Sequence, residues 1–210
     1  MKANRHINKV AVIGSGIMGS RIACHFANIG VEVLLLDIVP FDLTEDQKQD
    51  SQIKNSIVNE ALKSTLKSNP SPIYSKEFIN RITTGNLDDD LYKIADVDWI
   101  IEVVVERLDI KKQVFEKIEK FRKEGTLISS NTSGIPIESM IDGRGDDFKA
   151  HFCGTHFFNP PRYLKLLEII PSTKTSPEIV DFLMQYGDKF LGKDMVLCKD
   201  TPAFIANRLE

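Results

Sequence analysis

The sequence predicts an α/β fold: a doubly wound sheet, parallel in its first half, with a long helical insertion after the second strand. Three observations predict it. The first forty residues read strand, glycine turn, helix, strand, acid. Continuous apolar runs then recur along the chain, as in strands buried on both faces, separated by stretches of helical spacing. No repeat or linker divides the 210 residues, a length that suits one full domain and the start of a second.

Residues 7–13 read as the first strand, with Val10, Ala11, Val12 and Ile13 as its apolar run. Gly14-Ser15-Gly16-Ile17-Met18-Gly19 follows, then a helix through residue 28 with Ile22, Ala23 and Phe26 on one side and Gly30 placed to stop it. Residues 31–36 form the second strand, closed by Asp37. The polar stretch 44–67, apolar at Ile53, Ile57, Ala61, Leu62 and Leu66, predicts one long amphipathic helix with Thr44 as its N-cap. Asn69-Pro70-Ser71-Pro72 ends it. Further strands are expected at 82–84, 99–105, 126–130, 152–157, 166–170 and 195–197. Between them lie a helix with Ile110, Val114, Ile118 and Phe121 on one face and another over 177–190. Asp200-Thr201-Pro202 reads as a helix start, with a Thr cap and Pro at the first helical position, for a helix running to residue 210. Meeting no stop, that helix is expected to open a second, helical domain, which divides the chain into 1–200 and 201–210.

Composition excludes several classes. Lys plus Arg is 27 against 30 for Asp plus Glu, a net charge of −3, so the basic footprint that nucleic acid requires is missing. The longest stretch free of charged residues runs only from Gly125 to Ile137, short of the ~20 apolar residues that span a bilayer. The apolar run after Lys2 and Arg5 breaks at Gly14, too early for a secretory signal, and Cys24, Cys153 and Cys198 are too scattered for a disulfide or zinc framework. A cytoplasmic location is expected, with buried thiols. The triplet Asp88-Asp89-Asp90 has no His or Cys beside it and reads as loop and helix cap; no metal is expected. The Lys-rich helix from Lys111 to Lys123 reads mostly as a solvated face.

The glycine turn sits where a dinucleotide fingerprint needs it, after a buried strand and at the start of a helix, which makes the sheet Rossmann-type. Gly14 permits the tight turn, Gly16 lets a pyrophosphate approach the backbone, and Gly19 lets the helix pack closely, while Ile17 and Met18 open the helix whose free amides attract phosphate. Asp37, 21 residues beyond Gly16, can accept from ribose hydroxyls, and no Arg follows it to hold a 2′-phosphate. NAD is therefore expected over NADP.

His156 closes an apolar strand in Gly154-Thr155-His156-Phe157-Phe158-Asn159-Pro160-Pro161, and Glu168 lies twelve residues on within Leu166-Leu167-Glu168-Ile169-Ile170. Spacing alone reads equally as a general base with its carboxylate or as a packed core His and an edge-strand Glu. His6 and His25 read as solvated or packed. Ser130-Asn131-Thr132-Ser133-Gly134 ends another buried strand, where short polar side chains can meet a nicotinamide or a substrate oxygen, or cap a helix.

Taken together, GSGIMG, Asp37, NTSG, GTHFFNPP, LLEII and DTPAFIANRL resemble the NAD-binding domain of L-3-hydroxyacyl-CoA dehydrogenases, from about Val10 to Leu209. The resemblance implies NAD-dependent oxidation of the 3-hydroxyl of an acyl-CoA to a ketone, in the β-oxidation of fatty acids. It implies His156 as catalytic base, Glu168 as its partner, Ser133 and Asn207 at the substrate, Glu106 and Lys111 as an NAD-contacting pair, and Asn131 beside the cofactor. The stretch up to Pro72 is longer and more polar than in short two-domain enzymes and is similar to the dehydrogenase part of a large bacterial fatty-acid oxidation protein. A homodimer or multidomain assembly follows from the same resemblance. Two other readings stand beside it: a related β-hydroxyacid or sugar-acid dehydrogenase of the lambda-crystallin kind, and an NAD-binding module without catalysis.

Overall fold

The computed structural model describes residues 5–208. Its strands are β1 (Lys9–Ile13), β2 (Glu32–Asp37), β3 (Ile82–Asn86), β4 (Trp99–Glu102), β5 (Leu127–Ser130), β6 (Phe152–Phe157), β7 (Leu166–Pro171) and β8 (Asp194–Leu197). They form one sheet in the order β3-β2-β1-β4-β5-β6-β7-β8. Every neighbouring pair is parallel except β6 with β7, which is antiparallel. The strand order reverses between β1 and β4, and in such sheets the crevice beyond the strand ends at that point receives the ligand.

Alternation along the strands builds two cores. Val10 and Val12 face one side, with Ile22 and Phe26 of helix α1 (Ile17–Asn28). Ala11 and Ile13 face the other, with Phe115 and Ile118. Trp99 anchors the first core edge-on to Phe26, and its indole N–H donates to Ser129 Oγ at 2.9 Å. The three thiols are free and buried, as expected, and burial pushes Cys24 and Cys153 up to about 12.

The insertion after β2 departs from the sequence reading. Residues 44–67 do not form one helix but a 3-10 turn at Gln47–Gln49, then α2 (Ser51–Lys54) and α3 (Ser56–Leu66). Thr44 does cap, but only the short turn: its hydroxyl accepts from the Gln47 amide while the Gln47 side chain accepts from the Thr44 amide. Asp50 then breaks the run, taking an extended backbone and capping α2 through the Gln52 amide at 2.8 Å. Only Val58, Leu62 and Thr65 of α3 are buried, so the buried face is shorter than the apolar spacing implied.

Helix α4 (Leu108–Phe121) lies where expected, with its face rotated. Lys111, Val114, Phe115 and Ile118 are buried, and Phe121 is turned to solvent. A lysine at a core position is the first sign that the helix carries more than packing. Two short helices, α5 (Ile137–Met140) and α6 (Asp146–Ala150), precede β6, and α7 (Pro177–Lys189) precedes β8.

The predicted C-terminal helix is absent from the described residues. After β8 the chain makes a turn over 202–205 and a 3-10 turn at Ala206–Arg208; Leu209 and Glu210 lie outside the described residues. Asp200 does cap a helix, but the helix is α5, through the amides of Ile137 at 2.8 Å and Glu138 at 3.0 Å. Phe204 is buried in the second core, and the inward turn that places it puts Ala203 and Phe204 at φ 62° and 49°. Burial of the ring offsets this left-handed backbone, which costs ~1–3 kcal/mol per residue.

His25 is packed, as read. It is buried in α1, and its Nε2 contacts the Leu191 carbonyl at 3.0 Å. Burial, helped by Lys193, lowers its pKa from 6.5 to about 4. Between those values the unfolded chain binds a proton that the folded chain refuses, so stability falls as pH drops through the window, by up to about 3 kcal/mol. The melting temperature of the unaltered chain should therefore fall more steeply from pH 6.5 to 4 than that of His25→Gln. Parallel curves would show that His25 is not the group being titrated.

Candidate active site

The ends of β1, β2, β4, β5 and β6, with the loops after them, line one edge of the sheet on both sides of the reversal of strand order. The turn after β1 is built by steric necessity. Gly14 has φ 105°, and a Cβ there would lie 2.6 Å from the Val103 carbonyl oxygen. A Cβ on Gly19 would lie 1.8 Å from the Gly14 oxygen, so the first turn of α1 rests directly on the backbone of the turn. Gly16 is the opposite case: a Cβ there would meet nothing within 4 Å, so its backbone faces open space. The first helical bond runs from the Ser20 amide to the Gly16 carbonyl, and no side chain caps the amides before it. Ile17 stands exposed at this helix start, whereas Met18 packs against the first core and offers the site only its amide.

Asp37 ends β2 beside that turn. Its Oδ2 accepts from the Ser15 amide at 2.7 Å and the Ser15 hydroxyl at 2.5 Å, and Oδ1 accepts from the Ile38 amide at 2.7 Å. The carboxylate is thus tied to the glycine turn, with about one of its four lone-pair positions left.

The register of β6 against β7 explains the spacing of twelve. His156 and Glu168 are direct cross-strand partners. Nδ1 of His156 and Oε2 of Glu168 are 2.8 Å apart, and both side chains are buried. The other Glu168 oxygen accepts from the amides of Ala206 at 2.8 Å and Ile205 at 3.2 Å. Phe158 and Phe204 flank the imidazole, with ring centroids at 4.4 and 5.9 Å. The two side chains are thus joined, the contact that a base held by its carboxylate requires.

After β5, Asn131 Oδ1 accepts from the Phe157 amide at 2.9 Å and so ties the ends of β5 and β6 together. Ser133 is exposed, and its carbonyl accepts from Asn207 Nδ2 at 3.4 Å. Glu106 reaches the same turn: its Oε1 accepts from the Thr132 hydroxyl at 2.5 Å and the amides of Ser133 at 2.9 Å and Gly134 at 3.2 Å. Burial would raise the Glu106 carboxyl, but the Thr132 hydroxyl, Lys111 and the Ser133 amide outweigh it and hold the group below the usual range. Lys111 is fully buried, 2.8 Å from Glu102 and 3.3 Å from Glu106. Among the described residues no group of His, Cys, Asp or Glu is arranged to hold a metal, and no helix is long and apolar enough to cross a membrane.

The family model of the 3-hydroxyacyl-CoA dehydrogenase NAD binding domain matches residues 9–201. The chain belongs to that family. A Bacillus subtilis protein named a probable 3-hydroxyacyl-CoA dehydrogenase is 54% identical over 98% of this chain, and a Rickettsia felis protein named as a fatty acid oxidation complex trifunctional enzyme is 44% identical over 97% of it. The chain spans 27% of the length of each of these two relatives. The crystal structure of Escherichia coli 3-hydroxybutyryl-CoA dehydrogenase matches with TM-score 0.74 and 30% identity, over 97% of this chain and 40% of that one.

NAD is accordingly the cofactor of this domain, and the turn fits it. Uncapped helix amides and the open face of Gly16 suit a pyrophosphate. Two groups on the site's edge are not apparent from motif and spacing alone. Lys193 is buried without a carboxylate and donates to the carbonyls of Pro161 and Leu164, which pins the loop after His156; burial lowers it to about 8. Glu102 closes the apolar strand Trp99-Ile100-Ile101-Glu102, as Asp37 closes β2, but no glycine turn beside it draws the eye.

Proposed function

We propose that this chain is the cofactor- and base-carrying part of an enzyme that interconverts (S)-3-hydroxyacyl-CoA and 3-oxoacyl-CoA in fatty-acid β-oxidation. The observation that carries the reading is the His156–Glu168 pair, 2.8 Å apart at the crevice end of β6 and β7. The chemistry that bound NAD would supply is acceptance of the hydride from C3 of the substrate. The proton falls to this chain. Glu168 accepts Nδ1–H, which leaves the lone pair of His156 on Nε2, the atom that removes the 3-hydroxyl proton. Glu168 stabilises the imidazolium that forms, and the amides of Ile205 and Ala206 keep its carboxylate from rotating away. Ser133 and Asn207 hold substrate oxygens. Gly14, Gly16 and Gly19, with the amides of Ile17 and Met18, receive the pyrophosphate, and Asn131 lies beside the nicotinamide end.

Asp37 is assigned to the ribose, the Ser15 hydroxyl giving up its bond when the diol arrives. A 2′-phosphate there would set like charges side by side, so NADH should bind at least about tenfold more tightly than NADPH. Calorimetric titration with both cofactors is the test. Equal affinities would remove Asp37 from the ribose.

A further inference from the structure

The buried lysine of α4 is surrounded by acceptors that account for all of its protons. Its Nζ lies 2.8 Å from Glu102 Oε1, 3.3 Å from the Val104 carbonyl and 3.3 Å from Glu106 Oε2. Lys111 and Glu102 are 1% and 0% exposed, so Lys111, expected from the resemblance to contact NAD, faces the cofactor end here only through Glu106, whose side chain is 44% exposed. Glu102 is fixed in turn by the Val104 amide at 2.6 Å and the Ser130 hydroxyl at 2.5 Å. It pairs with Ile13 of β1 on one side and Ser130 of β5 on the other, so the ion pair lies beneath both the glycine turn and the loop that carries Ser133. Burying a carboxylate and an ammonium together is not a way to gain stability, since desolvation offsets most of the attraction.

We propose that Glu102 and Lys111 are positioning residues: the buried pair holds Glu106, and Glu106 holds the Thr132–Gly134 turn, so that one charge relay sets the cofactor end and the substrate serine together. The assignment rests on the reading above for what Ser133 does, but the coupling itself belongs to the free chain. Through Oε1, Glu106 accepts three donors from that turn, and through Oε2 it is drawn towards Lys111. Removing the ammonium leaves the carboxylate with one anchored oxygen and a free one in solvent, and the turn loses its fixed acceptor.

The test uses amide hydrogen exchange at Ser133 and Gly134 in the cofactor-free chain, thermal melting, and NADH titration. Lys111→Met alone leaves Glu102 buried without a counter-ion and should lower the melting temperature. Glu102→Gln/Lys111→Met removes both charges and should restore the melting temperature while exchange at both amides stays faster, and NADH binding weaker, by about tenfold, the value of one charge-assisted hydrogen bond. Glu106→Gln, which leaves the buried pair intact, should speed the same two amides, and it decides the matter if the double variant fails to fold. Lys112→Met, on the solvent side of α4, should change none of the three readouts. If the double variant melts like the unaltered chain and keeps its exchange rates and NADH affinity, or if Glu106→Gln leaves exchange unchanged, the pair is structural and the proposal is wrong. An unaltered chain that does not bind NADH would sink the functional reading instead, with exchange still deciding the coupling.

Discussion

His156→Gln lowers kcat for 3-hydroxyacyl-CoA by about 10²–10⁴-fold, the usual contribution of a positioned general base, and leaves NADH affinity within about twofold. The substitution is chosen for its geometry. Gln can still donate an N–H to Glu168, so the 2.8 Å contact that joins β6 to β7 has a replacement, while the lone pair facing the substrate is lost. Cofactor affinity should survive because the phosphate-binding turn lies between β1 and α1, away from β6. Initial rates and a binding titration on the same preparation separate the two effects. A kcat within tenfold of the unaltered enzyme would move the base to another residue.

Gly19→Ala damages the other half of the site. Its Cβ would lie 1.8 Å from the Gly14 oxygen and 2.8 Å from the Gly14 carbonyl carbon, backbone atoms that cannot yield without opening the turn. Overpacking of this kind costs ~1–3 kcal/mol, roughly 2–12 °C of melting temperature for a chain of this size. The displaced helix start also misdirects two or three amides from the pyrophosphate, a loss on the order of 10²-fold in NADH affinity. A Gly19→Ala chain that bound NADH as the unaltered one does would show that the turn is not the cradle.

Those two sites were readable in the sequence for different reasons. The glycine turn is local: Gly14 and Gly19 each meet a steric need, Gly16 between them leaves its face open, and the flanking apolar runs place the turn between a strand and a helix. The pair His156 and Glu168 is not local, and its spacing becomes meaningful only through an antiparallel register that periodicity cannot supply. Where the reading failed, a local cap in one place and tertiary contacts in another overrode the helical pattern. Asp50 offered its side chain to the Gln52 amide and broke a helix that apolar spacing alone made continuous. Thr201 and Pro202 carry a helix-start signal, yet burial of Phe204 and the two amides given to Glu168 turn the chain inward. Lys111 reads from composition as part of a solvated face and from the resemblance as an NAD contact; its burial against Glu102 shows only in the structure.

Substrate class is where fold says least, since one Rossmann-type sheet serves many hydroxy acids. The proposed substrate of the His156–Glu168 base is a CoA thioester. The direct measurement is NADH oxidation with acetoacetyl-CoA, set against acetoacetate and free sugar acids at equal concentration. Acetoacetyl-CoA should be turned over, with the activity lost in His156→Gln, and the free acids should react at least about tenfold more slowly in kcat/KM, the worth of about 1.4 kcal/mol of transition-state binding. Equal or faster turnover of a free hydroxy or keto acid, or NADH binding with no turnover of the thioester, would contradict it.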